Sequence, residues 1–378
     1  MHGPDSQPPT SIDPLLAATL RLALVPGVGP RIRRALLDRF GTAESVLSAA
    51  PSELREVPGV GAKLSRAITQ ARDEINAEAE IGLCQSHGIE ILADADQRYP
   101  GVLREIPDPP GVLFVRGSLL PQDSLAIGIV GTRHATPYGL RQSERLAGSL
   151  ARAGLTVISG LARGVDGAAH RGALAAGGRT LAVLGSGVLC IYPPEHAALA
   201  GEVMQCGALV SESPPRAAPQ GGMFPQRNRI ISGLSLGVIV VEAGDRSGAL
   251  ITARHAMEQG HEVFAVPGRV DDRTSRGCHR LLRDGAKLVE SADDVLEELG
   301  PLFAPTHRDD GQVVHHPAEL LLNDMEQKVL AAIRTESTLI DEIVMESGLP
   351  VAQVLSTLSV LEMRRLVRRL SGWTVVRI

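Results

Sequence analysis

The stretch "IVGTRHATPYG", Ile129 to Gly139, decides how this chain is read. It begins as an apolar run, turns on Gly131, reaches Arg133 two residues later and opens a helix at Thr136-Pro137. An apolar strand that ends in a glycine turn and passes into a helix belongs to parallel α/β sheets. In dinucleotide folds, glycines at this turn let a pyrophosphate approach the backbone. Here a cation stands where the second glycine would be, so the turn suits an anion held by bare backbone and a guanidinium together.

Outward from that turn, residues 125–300 alternate. Strand candidates are 125–130, 155–159, 180–184, 208–211, 237–241, 262–266 and 287–289. Helical segments at 138–153, 165–177, 195–205, 247–259 and 291–299 accompany them. Short apolar runs without polar alternation, set between amphipathic helices, are buried parallel strands. They predict an α/β fold, an extended Rossmann-like parallel sheet whose ligands sit at the carboxyl ends of the strands.

The segments that follow those ends share a composition. They read "GTR" after the first strand, "SGLARGVDGAAH" (Ser159–His170) after the second and "GSGVLCIYPPEH" (Gly185–His196) after the third. "FPQRNRIISGLS" (Phe224–Ser235) comes after the fourth and "EAGDRSGALITARHA" (Glu242–Ala256) after the fifth. Bare glycines with Arg133, Arg163, Arg227, Arg229 and Arg246 on one rim describe a phosphate-lined pocket. The alternative is that the glycines only make turns and the arginines only pair with rim acids.

Cofactor signals are missing. The first turn lacks GxGxxG and a ribose-binding acid about twenty residues on, and no Walker A sequence occurs. No cofactor is therefore expected. Asp166 and His170 lie one helical turn apart and suit acid–base work. They suit better a capping acid and a locally bonded histidine. No nucleophile elbow and no HExxH occur, so no catalytic residue is assigned. Cys84, Cys190, Cys206 and Cys278 are scattered without a CxxC pair, which argues against a structural zinc site or a disulfide framework.

The flanks are organised differently. Residues 1–13 are Pro/Ser-rich, a disordered tail by composition. Residues 14–75 are helical and carry a near-repeat, "LVPGVGPRIRRAL" (Leu24–Leu36) and "EVPGVGAKLSRAI" (Glu56–Ile68). Each copy resembles a helix-hairpin-helix of SAM-like type. Its glycines either expose amides to a phosphate, with Gly27, Gly29, Gly59, Gly61 and Lys63 as contacts, or merely turn a packed helix pair. Arg31, Arg33 and Arg34 favour phosphate, whereas Glu53 and Glu56 oppose it. Residues 76–124 connect this domain to the sheet, with a strand at 112–115. The Rossmann-like domain with its connector thus covers 76–300. A polar linker follows at 301–318, and 319–378 has the spacing of a winged helix. Its recognition helix, 351–361, offers Gln353, Ser356 and Thr357 but no cation. Arg364, Arg365, Arg368 and Arg369 come later, so specific major-groove reading is not expected.

Composition narrows the function classes. The 378 residues carry 38 Lys plus Arg against 43 Asp plus Glu, a net charge of −5, so this is no polybasic coat. Aromatics at 2 % exclude a broad stacking platform. The N-terminus lacks a basic region followed by an apolar run, and no apolar stretch reaches spanning length. The expected setting is the cytoplasm, without membrane association.

Six motifs in order over about 98–292 resemble the DprA (Smf) family of bacterial DNA-processing proteins. They are "IVGTRHATPYG", "SGLARGVDGAAHRGAL", "LGSGVLCIYPPEH", "FPQRNRIISGLS", "VVEAGDRSGALITARHAMEQGHEVFAVPG" and "GCHRLLRDGAKLV". The resemblance implies a non-enzymatic recombination mediator of natural transformation. Such a protein binds single-stranded DNA on the Rossmann-like domain, loads the recombinase RecA, works beside single-strand binding protein and forms a homodimer. On this sequence the implied DNA contacts are Gly131, Arg133, Ser159, Gly160, Arg163, Phe224, Gln226, Arg227, Asn228, Ser247 and Gly248. Gln226 stands where some members carry a cation. The sheet end at Gly277–Val289 is the expected dimer surface, since an edge strand invites pairing. The runner-up is a nucleotide phosphoribohydrolase of the lysine-decarboxylase-like group. Its PGGxGT pattern has no counterpart in "EAGDRSGALITA".

Overall fold

The computed structural model of the chain describes residues 13–299, 306–307, 313–314, 322–334, 337–363, 366–370 and 373–377. The expected N-terminal tail, apart from Asp13, lies outside them. So do Arg364, Arg365 and most of the linker expected at 301–318.

Nine strands form one sheet: β1 (Ile89–Ala93), β2 (Val112–Gly117), β3 (Ala126–Val130), β4 (Thr156–Ser159), β5 (Thr180–Val183), β6 (Ala208–Ser211), β7 (Gly237–Val240), β8 (Glu262–Ala265) and β9 (Lys287–Leu288). Their order across the sheet is β1-β2-β6-β5-β4-β3-β7-β8-β9. Pairing is parallel from β6 through β9, whereas β2 is antiparallel to both β6 and β1. All seven expected strands form. β1 is an addition: the "connector" supplies two strands, because "IEILA" alternates too weakly to be read as a strand in isolation. A second addition is the helix Met223–Gly233, where the "FPQRNRIISGLS" stretch reads as loop.

Helices cover both faces, as buried parallel strands require. Alternate side chains of β3 divide between them. Ala126 and Val130 enter one core with Ile230, Ile231 and Ala253. Ile127 and Ile129 enter the other with Leu146, Leu150 and Ala169. A third core joins β2, β5 and β6 to the helices Pro14–Ala23 and Ala77–Ser86.

The near-repeat packs on itself. Gly27 and Gly59 have φ of 93° and 86°, the left-handed region that favours glycine. A Cβ on Gly27 would meet Leu64, and one on Gly59 would meet Ile32, so each hairpin rests on the helix of the other. Arg33 departs from its expected phosphate role. It is buried and holds Asp94 through two bonds of 2.7 and 2.9 Å, tying the hairpin domain to the end of β1.

The C-terminal unit is a winged helix with its own core. Helices Asp324–Ala331, Ile340–Ser347 and Val351–Met363 stand with strands Thr338–Leu339, Val367–Arg369 and Thr374–Arg377. Gly348 turns between the second and third helices at φ 66°. Thr357 of the recognition helix is buried, so it is not available to read a base. β9 is the edge strand of the large sheet, with Leu288 exposed. Val289, part of the surface expected for dimerisation, is instead fully buried. Among the described residues, no single helix is long and apolar enough to cross a membrane.

Candidate nucleic-acid interface

The strand order reverses at β3, whose neighbours are β4 and β7. Crevices at such switch points, outside the carboxyl ends of the strands, are where open α/β sheets bind ligands. A cleft of about 780 Å³ opens there. Its walls come from Gly131–His134 after β3, Asp166, Tyr192, the Pro219–Asn228 segment and Gly244–Ala249 after β7.

One buried carboxylate shapes the first wall. Glu242, at the end of β7, accepts the Thr136 amide at 2.9 Å and the Thr136 hydroxyl at 2.5 Å. Its carbonyl accepts the Thr132 amide at 2.7 Å. Thr136 in turn caps the helix Pro137–Arg152 through the Gly139 amide. Gly131 is glycine because a Cβ would lie 2.5 Å from Val165, and Gly139 because one would lie 2.3 Å from the Glu242 carboxylate. The turn is thus held at both ends, and Arg133 projects from it, exposed. Its guanidinium carbon lies 5.0 Å from the centre of the Phe224 ring. Tyr192 meets the same ring at 5.7 Å between centroids, tilted by 48°.

The second wall begins with a strained backbone. Leu161, buried, sits at φ 55°, a left-handed conformation uncommon for a branched aliphatic side chain. Gly164 follows at φ 74°, where a Cβ would collide with the Thr132 carbonyl at 2.3 Å. Two residues further on, Asp166 accepts the amides of Gly160 (3.2 Å) and Ala162 (3.3 Å). Burial pushes its carboxyl above the usual range, against the opposing pull of Arg227 and those amides.

Arg227 forms the floor rather than a free clamp. It is 6 % exposed and donates to the Val183 carbonyl, and its Nε has no partner. Burial lowers its pKa to about 10, aided by nearby Arg133 and opposed by Asp166, so it stays charged at neutral pH. Gly160 lies over it; a Cβ there would sit 2.4 Å from the guanidinium.

The other sequence-derived residues divide. Asn228, Ser247 and Gly248 line the cleft, and Gly248 precedes the helix Ala249–Glu258, whose first amides are held internally: Ala249 donates to the Ser247 hydroxyl, Leu250 to the Ser247 carbonyl and Ile251 to the Gly248 carbonyl. Arg163 is exposed beside a small side pocket shared with Arg133 and Phe224, and it pairs with Glu195. Gln226 is exposed and does not line the cleft. Ser159 is corrected: it is fully buried and its hydroxyl donates to the Ile129 carbonyl at 2.6 Å. Arg229 is not on the rim either. It is buried and held by Glu212 at 2.8 Å and Asp108 at 3.4 Å, bracing the helix Met223–Gly233.

His170 does not join an acid–base pair. Thr180 donates its hydroxyl to the Val157 carbonyl and so accepts from His170 Nδ1, which leaves the buried Nε2 bare. Burial drives its pKa down to about 3. Residues missed by sequence reasoning are Tyr192 and His134. Tyr192 was quoted inside "GSGVLCIYPPEH", but nothing in the sequence placed its ring beside Phe224. The hairpin glycines Gly27, Gly29, Gly59 and Gly61, with Lys63, are exposed on the N-terminal domain and line no part of this cleft.

A doubly wound sheet with an arginine-and-aromatic cleft at its switch point, between a helix-hairpin-helix tandem and a winged helix, defines a class of nucleic-acid-associated α/β protein. Comparison with known families gives the particular one. Residues 90–300 match the family described as DNA recombination-mediator protein A, and the chain belongs to this DprA/Smf family. Residues 314–372 match the DprA winged helix domain and 20–73 the SAM-like helix-hairpin-helix tandem. The chain is 36 % identical to Protein Smf of Synechocystis sp. over 92 % of its own length and 95 % of that protein. With the DNA processing protein DprA of Bacillus subtilis it shares 46 % over 57 % of this chain and 73 % of the other. Among solved structures, DprA from Streptococcus pneumoniae superposes with a TM-score of 0.64 at 34 % identity, covering 74 % of this chain and 95 % of that one. The DNA processing protein A of Helicobacter pylori, described for its single-stranded DNA binding mode, gives 0.52 at 30 %, covering 57 % and 97 %.

Proposed function

We propose that this chain binds single-stranded DNA in the switch-point cleft, without sequence preference, and serves recombination as a non-enzymatic mediator. The observation that carries the reading is Arg133 over Phe224, with Tyr192 against the same ring and the backbone of Ser247 and Gly248 also lining the cleft. A guanidinium and amides suit phosphates, while aromatic faces stack on any base. Gly131, Gly160, Asn228 and Ser247 complete the contacts, Arg227 supplies charge from the floor, and Arg163 borders the strand from the side pocket. Relatives named as DNA processing proteins support the reading.

In this proposal the protein acts in the cytoplasm as a homodimer, protects incoming DNA during transformation and hands it to RecA beside single-strand binding protein. No cofactor takes part. The hairpins at Gly27–Gly29 and Gly59–Lys63 add phosphate contacts outside the cleft. The phosphoribohydrolase alternative is disfavoured by the engagement of the acid that lines the cleft, Asp166, and of the one behind its wall, Glu242. Glu242 is spent on Thr136, and Asp166 on two amides.

The test is fluorescence anisotropy with single- and double-stranded oligonucleotides at two salt concentrations, followed by RecA-driven strand exchange on strands coated with single-strand binding protein. The reading requires preference for single strands, a salt-dependent affinity and faster RecA loading. Release of free base from nucleoside monophosphates would replace it with the hydrolase.

A further inference from the structure

The helices Pro137–Arg152 and Val165–Ala175 follow the neighbouring strands β3 and β4, so both leave from the carboxyl edge of the sheet. The groove between them therefore runs from the cleft's side of the sheet toward the opposite edge, and it shares no lining residue with the cleft. Its floor is bare. A Cβ on Gly148 would lie 3.0 Å from the Gly172 carbonyl, and one on Gly172 would lie 2.3 Å from Glu144. The two backbones thus touch, and only Ala175 and Ala176 add side chains beyond them.

The rim is cationic. Arg141, Arg145, Gly148 and Arg152 lie at spacings of four, three and four, one stripe of the first helix, and Arg171 faces them from the second. All four arginines are exposed. Glu144 is the acid among the lining residues of this 560 Å³ groove, and it approaches Arg171 at 3.6 Å. Arg145 donates to Gln142 and the Glu290 carbonyl, and Arg152 to Ser149, so neither pairs with a carboxylate among the described residues. Arg141 has no partner among the described residues. In a chain with more acid than base, such a concentration of uncompensated arginine on one groove is not required by helix packing. Tyr138, exposed three residues before Arg141 on the same helix, donates its hydroxyl to the Pro267 carbonyl at 2.8 Å.

We propose that this groove is a second anion track, which holds the phosphodiester backbone of the DNA strand where it leaves the cleft. The inference rests on the cleft reading above. From Arg141 to Arg152 the helix rises about 16 Å, enough for several nucleotides beyond those in the cleft. Exposed guanidiniums above a floor of glycine and alanine touch backbone and offer no stacking surface, so this segment is read through charge alone.

The experiment uses the full chain with a labelled six-nucleotide and a labelled twenty-five-nucleotide oligothymidine across a salt series. The quadruple variant R141A/R145A/R152A/R171A is expected to bind the short probe like the parent. For the long probe its salt slope falls by about 0.7 for each lost contact, and affinity falls at least tenfold at low salt. Arg141→Glu, which breaks no internal bond, gives the same direction if the quadruple variant melts early. Replacement of all four by lysine restores the slope. Equal affinity and slope for the long probe in parent and variants overturns the track. Displacement of an Asp/Glu-rich peptide rather than DNA by these variants reassigns the groove to a protein and overturns it too. A parent that binds neither probe removes the cleft reading itself.

Discussion

Arg133 lies with its guanidinium carbon 5.0 Å from the centre of the Phe224 ring, across the mouth of the cleft. The pairing joins the turn after β3 to the helix Met223–Gly233, which follows β6 three strands away. A cation over an aromatic face gains about 0.5–1 kcal/mol where exposed, which biases the long side chain toward this position. It places a phosphate ligand and a stacking face side by side.

That pairing separates two effects. Arg133→Ala should weaken binding of every single-stranded sequence alike and lower the salt slope by about 0.7. Phe224→Ala should cost about 1–3 kcal/mol of binding while leaving the slope unchanged. Anisotropy titrations across a salt series decide this. A slope that drops in both variants, or in neither, means the two side chains do not divide the work.

Glu242 is expected to matter without touching DNA. Glu242→Ala strands the half-buried Thr136 amide and hydroxyl, a loss of about 1 kcal/mol in stability, and loosens the turn that aims Arg133. Denaturant melts and DNA affinity should fall together. Glu242→Gln, with one matching acceptor, should recover most of both. Full DNA affinity in a Glu242→Ala protein that is measurably less stable would disprove the positioning role.

The buried His170 imposes a pH dependence on stability. Its folded pKa, about 3, lies below the unfolded value near 6.5, so between those values the unfolded state binds the extra proton. Stability therefore rises with pH through that window and is lost as pH falls, by at most about 1.4 kcal/mol per pH unit for one proton. His170→Gln should flatten the 4–6 portion of a stability-versus-pH curve measured in urea. An unchanged slope would show that other groups carry it.

Assembly is predicted through the free edge at β9. Leu288 is half exposed in this strand, whose outer side has no partner strand among the described residues. The full chain should scatter light as a dimer at micromolar concentration, and Leu288→Glu should shift it toward monomer with the melting temperature retained. Val289 is no substitute probe, because it is buried beside Val295 and its loss would unfold the edge. A dimeric Leu288→Glu protein rejects this edge.

DNA binding should travel with the sheet. A chain ending at Leu299 keeps all the cleft residues and the cores around them and should retain single-strand affinity within about threefold. The winged helix alone, residues 322–378, has its own core but a recognition helix without a cation. It should not bind single strands in the same titration. Affinity that follows the winged helix would relocate the interface.

The sequence by itself determined the seven core strands, because buried parallel strands are short, continuously apolar and separated by amphipathic helices. The near-repeat and the helix-turn-helix spacing were legible for the same reason: glycine turns and periodicity are local properties. It also determined which loops meet, since in such a sheet all carboxyl ends share one edge. Only the tertiary structure decided which residues of those loops face the cleft. Ser159 and Arg229 sit among glycines and arginines exactly like their exposed neighbours, yet one hydroxyl is spent on Ile129 and one guanidinium on Glu212 and Asp108. Arg33 is turned inward by Asp94, sixty-one residues away, and Tyr192, in the segment after β5, meets Phe224 on the helix Met223–Gly233. Such choices depend on partners distant along the chain, and burial and pairing with those partners are settled only when the sheet has brought them together.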